Sequence, residues 1–113
     1  MIIAIRGATT VKSDEEELIS AAAVELIREI IAANDIANTI AITISTTADI
    51  TASYPAKAIR ESGITAPLFS CLEPPIKGSL PLCIRVMVLA ECERQAKHVY
   101  IHGAKILRPD LEE

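Results

Sequence analysis

A run of nine residues, Leu82–Ala90, reads as the most apolar strand of the chain, yet it carries an arginine at its centre. Side chains alternate between the two faces of a strand. Leu82, Ile84, Val86 and Val88 therefore share one face, and Cys83, Arg85, Met87 and Leu89 share the other. Arg85 sits between apolar neighbours rather than on a polar surface. Arg6 shares a face with Ile2 and Ala4 in the same way, and Arg108 follows Ile106 and Leu107. Desolvating a guanidinium costs several kcal/mol. Each arginine must snorkel to the sheet edge, pair with a carboxylate of the chain, or wait for an anion from outside.

Around that strand the pattern alternates between two periods. Residues 1–6 are apolar and β-branched, a strand. Ser13 and Glu16 fit a capping box at the start of a helix, whose positive end is loaded with Asp14, Glu15, Glu16 and Glu17. Ile19, Ala23, Leu26 and Ile30 make one buried stripe, with Glu25, Arg28 and Glu29 opposite and Asn34-Asp35 as the stop. Thr39–Thr46 alternates as a strand. Pro55 early and Gly63 beyond the end frame a short helix. Pro67–Leu72 reads as a strand, and His98–Ile101 with Ala104–Leu107 as a hairpin about His102-Gly103. The order predicts one α+β (mixed α/β) domain over residues 1–113, a mixed sheet with the helices on one face.

Composition limits the function. With 113 residues, half of them apolar and only three aromatic, the core must be aliphatic. So small a chain buries about 60–70% of its unfolded surface, so some of that apolar surface is expected between chains of a homo-oligomer. A net charge of −4 argues against a nucleic-acid partner. No stretch approaches the ~20 apolar residues of a membrane span, and the opening meets Arg6 too soon for a secretory signal. The expected location is cytoplasmic, with Cys71, Cys83 and Cys92 as reduced thiols.

The chemistry-bearing residues are cations and donors without a nucleophile. Acids near the three arginines are few; close to Arg85 in sequence stands Glu73. Several cations with one carboxylate form the pattern of an anion site. Lys57 and Arg60, three apart, share a helix face that is either solvated or part of that site. His98 and His102 have no third ligand at a metal-binding spacing and read as surface histidines. The cysteines read as small buried hydrophobes. Lys77-Gly78-Ser79 lacks the rest of a phosphate-binding loop. Such a site favours a reaction whose barrier yields to positioning and charge stabilisation.

Five segments, in order and spanning nearly the whole chain, resemble the AroH-class (Bacillus-type) monofunctional chorismate mutases. They are Arg6–Val11 (RGATTV), Tyr54–Arg60 (YPAKAIR), Gly78–Val86 (GSLPLCIRV), His98–Tyr100 (HVY) and Leu107–Leu111 (LRPDL). The resemblance implies a homotrimer whose sheets pack into a pseudo-α/β-barrel, with active sites between adjacent chains. It implies the Claisen rearrangement of chorismate to prephenate in phenylalanine and tyrosine biosynthesis, with no cofactor and no metal. It matches Arg85 with the cation beside the breaking ether oxygen and Glu73 with the carboxylate holding the substrate hydroxyl. Arg6 and Tyr100 match donors to a substrate carboxylate. Arg60 and the more peripheral Lys57 match further cations of the cleft, Tyr54 a cleft wall, and Leu107 with Arg108 the closing C-terminal segment. Ser70 stands where better-known members carry cysteine, and Pro74-Pro75 follows Glu73 directly. A non-catalytic trimeric module that binds an anionic metabolite is the alternative from another class. A small trimeric hydrolase would need a water-activating residue that the sequence does not offer.

Overall fold

The computed structural model describes residues 1–111. β1 (Ile2–Thr10) leads into α1 (Glu16–Asn34), then β2 (Asn38–Thr46), α2 (Pro55–Glu61), β3 (Leu68–Leu72), β4 (Cys83–Glu91) and β5 (Val99–Tyr100). Two 3₁₀ turns, His102–Leu107 and Pro109–Leu111, follow. The sheet runs β3-β2-β4-β1-β5. β4 is antiparallel to both of its neighbours, while β3 and β5 join the edges in parallel. The α+β domain with a mixed sheet is therefore as expected.

The two faces of the sheet have different fates. Ile19, Ala23, Leu26 and Ile30 of α1 are buried, as the stripe predicts, against Ile5, Ile42, Ile44, Ile84 and Val88 of the sheet. Gly7 lets the helix come this close: a Cβ there would stand 2.7 Å from Ile30 Cδ1 and 3.1 Å from the Val99 carbonyl oxygen. α2 lies on the same side, and Ile59 joins the core. The opposite face has no α-helix, and the 3₁₀ turn His102–Leu107 covers it only at Ala8 and Cys83. It presents Ile2, Met87, Leu89 and Phe69, which are 67%, 43%, 38% and 70% exposed. No described helix is long and apolar enough to cross a membrane.

Three local expectations are corrected. The capping box does not form. Ser13 Oγ donates to the Glu15 carboxylate, Glu15 becomes the N-cap with no side-chain cap bond, and the helix starts at Glu16. Asp14 instead accepts bonds from Thr51 and Ala52, tying the helix entry to the loop before α2. Nor is there a C-terminal hairpin. β5 ends after two residues, because His102 takes φ 53° and Ala104 donates back to Ile101, closing a 3₁₀ turn instead of a return strand. Finally, β1 runs on past residue 6 to Thr10, drawn out by pairing with β4 that extends to Cys83.

Candidate active site

The register of β4 between its neighbours assembles the site. Arg85 stands opposite Ala8 of β1 and Ser45 of β2, and Met87 stands opposite Arg6 and Thr43. Ala8 in turn stands opposite Tyr100 of β5. Alternation then places Arg6, Ser45, Arg85 and Tyr100 on the helix-free face. The start of β4 is fixed by the loop after β2: Leu82 N–H donates to Asp49 Oδ2 at 2.9 Å, and Cys83 N–H to Thr47 Oγ1 at 3.0 Å. Glu73 arrives from the far edge. Its N–H donates to the Thr46 carbonyl at 2.8 Å, so pairing along β2 persists up to the Pro74-Pro75 break.

These residues line an open cavity of about 420 Å³ that includes Arg6, Ser45, Glu73, Arg85 and Tyr100. Ser45 Oγ donates to Glu73 Oε2 and anchors that carboxylate. Arg85 Nε lies 3.7 Å from the same oxygen, with the two side chains 42% and 21% exposed. That separation is an ion pair but too long for a hydrogen bond. Among the described residues, Arg85 Nε is a buried donor with no partner. Burial pushes the Cys83 thiol above its ordinary pKa, an effect the Arg85 charge partly offsets. Cys83 therefore stays a protonated, small apolar neighbour.

The C-terminal segment lies beside Tyr100, one of the residues lining the cavity. Leu107 packs with Tyr100 against buried Ala8, Cys83 and Ala104. Arg108 lies 5.9 Å from the Tyr100 ring centroid, within cation–π range. Its guanidinium is not free. Nε and Nη2 fork onto the Asp110 carboxylate at 3.0 and 2.8 Å. Those bonds hold Asp110 below the usual carboxylate range. The scarcity of acids read from the sequence thus fails at Arg108, where the partner stands two residues on.

The other expected residues lie elsewhere in the chain. Tyr54 and Ser70 line a second cavity of about 510 Å³ between the start of α2 and β3. Lys57 pairs with Glu16 at 3.8 Å. Arg60, exposed on α2, is in no ion pair among the described residues. A single chain therefore lines one cavity with Arg6, Glu73, Arg85 and Tyr100, places Leu107 and Arg108 beside Tyr100, and sets Tyr54, Lys57, Arg60 and Ser70 apart. The histidines do not cooperate: His102 pairs with Glu25 at 2.9 Å, while His98 faces Arg6. No cluster of three metal-ligating side chains exists among the described residues. Sequence reasoning missed Ser45, the anchor of Glu73. Its signal was present in the alternation of Thr43 and Ser45 with Ile42 and Ile44.

The fold is thus a small α+β domain that holds Arg6, Glu73, Arg85 and Tyr100 around one cavity on a sheet face without an α-helix. Comparison with known proteins gives the family. Residues 2–111 match the family described as chorismate mutase type I. The chain is 40% identical to a chorismate mutase AroH of Thermus thermophilus, over 99% of this chain and 98% of that protein. It is also 40% identical to chorismate mutase AroH of Bacillus subtilis strain 168, over 98% of this chain and 93% of that protein. A chorismate mutase structure from Clostridium thermocellum superposes with a TM-score of 0.88 at 36% identity, covering 92% of this chain and 98% of that one. The chain belongs to the type I chorismate mutase family.

Proposed function

We infer that the protein is a chorismate mutase, an isomerase of aromatic amino acid biosynthesis that rearranges chorismate to prephenate. The observation that carries this reading at the level of the site is Arg85. Its guanidinium is held on the sheet beside an anchored carboxylate, with a buried Nε that no group among the described residues satisfies. Chorismate is a dianion that must adopt a compact diaxial shape before its ends meet. Arg6 and Tyr100 hold a carboxylate and Glu73 the hydroxyl, which selects that shape and removes part of the entropic barrier. Arg85 faces the ether oxygen, where negative charge develops as the C–O bond breaks. A fixed cation there is worth more in the transition state than in the ground state, so it raises kcat. The step calls on no metal, cofactor or covalent intermediate.

Tyr54, Lys57, Arg60 and Ser70 complete a neighbour's site in this reading. Copies of the chain form a homotrimer across the helix-free face, where Ile2, Met87 and Phe69 are exposed. Each copy then supplies its α2 cations to the cavity of the next. The enzyme works in the cytoplasm, consistent with three free cysteines, of which Cys83 and Cys92 are buried. Pure protein mixed with chorismate tests the reading: the diene absorbance should fall far faster than in buffer. Sedimentation should give the mass of three 12.1 kDa chains. Binding without turnover would make the chain an anion-binding module instead.

A further inference from the structure

β5 pairs with β1 through two residues only, Val99 with Gly7 and Tyr100 with Ala8. One residue earlier a side chain takes over: the Arg6 amide donates to His98 Nδ1 at 3.0 Å. An imidazole nitrogen accepts a hydrogen bond only when it carries no proton, so this contact selects the neutral ring with its proton on Nε2. We propose that His98, as that neutral acceptor, is a positioning residue of the active site, setting the β1 backbone at Arg6 and the start of β5 ahead of Tyr100. The proposal rests on the chorismate mutase reading for its kinetic part only.

The charged groups around the ring all favour its neutral form. Arg6 faces it from β1 and Arg108 from the C-terminal segment; with partial burial as the larger cause, they hold its pKa below the ordinary value. Among the described residues no carboxylate forms an ion pair with it, and Asp110 is engaged by Arg108. Protonating His98 would set N–H against N–H and add a third cation beside the two guanidiniums. The bond to Arg6 would break, and with it the alignment of two substrate-holding groups.

Nitrogen-15 NMR of the intact protein tests the assignment without substrate. At neutral pH the His98 ring should show a bare Nδ1 and a protonated Nε2; a protonated Nδ1 overturns the proposal. Kinetics test the consequence. His98→Leu removes the acceptor and should raise KM about tenfold with a smaller change in kcat, the scale of one net hydrogen bond. His98→Asn places an amide oxygen where Nδ1 stood and cannot titrate. It should recover most of the lost KM and lose the acid-side fall in kcat/KM that the parent shows below its His98 pKa. A leucine variant with the parent's KM, or an asparagine variant with the parent's acid limb, refutes the positioning role. A protein without mutase activity still answers through the ring tautomer, so the two readings fail separately.

Discussion

Replacing Arg85 by alanine should cost far more in catalysis than in stability, and the contrast follows from the geometry. Within the chain, the ion pair to Glu73 spans 3.7 Å with side chains 42% and 21% exposed. A pair so long and so wet is worth about 1 kcal/mol or less. Glu73 also keeps the Ser45 hydroxyl when the arginine is gone. The melting temperature should therefore move only a few degrees, at about 4–8 °C per kcal/mol for a domain near this size. Catalysis loses a preorganised charge at the developing oxyanion, a loss of about 2.7–4 kcal/mol or roughly 10²–10³ in rate. Initial rates of chorismate consumption, taken beside thermal melts of the same samples, separate the two quantities. Arg85→Lys should rescue little, because an ammonium is a point charge without the planar fork. Near-parental turnover in either variant, or a collapse in stability that matches the loss of rate, would refute the argument.

Two further outcomes follow from packing and charge. Gly7→Ala puts a Cβ 2.7 Å from Ile30 Cδ1 and 3.1 Å from the Val99 carbonyl oxygen. Overpacking of this kind costs about 1–3 kcal/mol, so denaturant midpoints should fall; an unchanged midpoint would show that α1 and β5 yield freely. Asp14 lies below its ordinary pKa of 3.8, owing first to the Thr51 hydroxyl and then to the Ala52 and Thr51 amides. A depressed carboxyl contributes stability above its unfolded value and loses it as pH falls through the folded one. Asp14→Asn should lower the melting temperature at pH 7, and its deficit against the parent should shrink below about pH 4. A deficit that persists undiminished at pH 2 would contradict the linkage.

The local elements were legible because short-range periodicity reports burial. The spacing of Ile19, Ala23, Leu26 and Ile30 predicts α1, and alternation along Leu82–Ala90 correctly puts Arg85, Met87 and Leu89 on one face. The five family segments carried the fold and the activity together, and the family match over residues 2–111 agrees with them. The errors fell where a local rule competes with a distant partner. Ser13 fits a cap, but Asp14 is drawn away to Thr51. Residues about His102-Gly103 fit a hairpin, but Gly103 N–H donates to Thr10 Oγ1 at 3.0 Å and the chain closes a 3₁₀ turn.

By itself, then, the sequence determined which residues are apolar, which carry charge and which face of each element they occupy, because those properties depend on neighbours a few positions away. Only the tertiary structure decided that Glu73 meets Ser45 beside Arg85 and that His98 holds the Arg6 amide. It also set Tyr54, Lys57, Arg60 and Ser70 outside the cavity of their own chain. Strand register and edge order join residues tens of positions apart, and no short-range pattern encodes such distances.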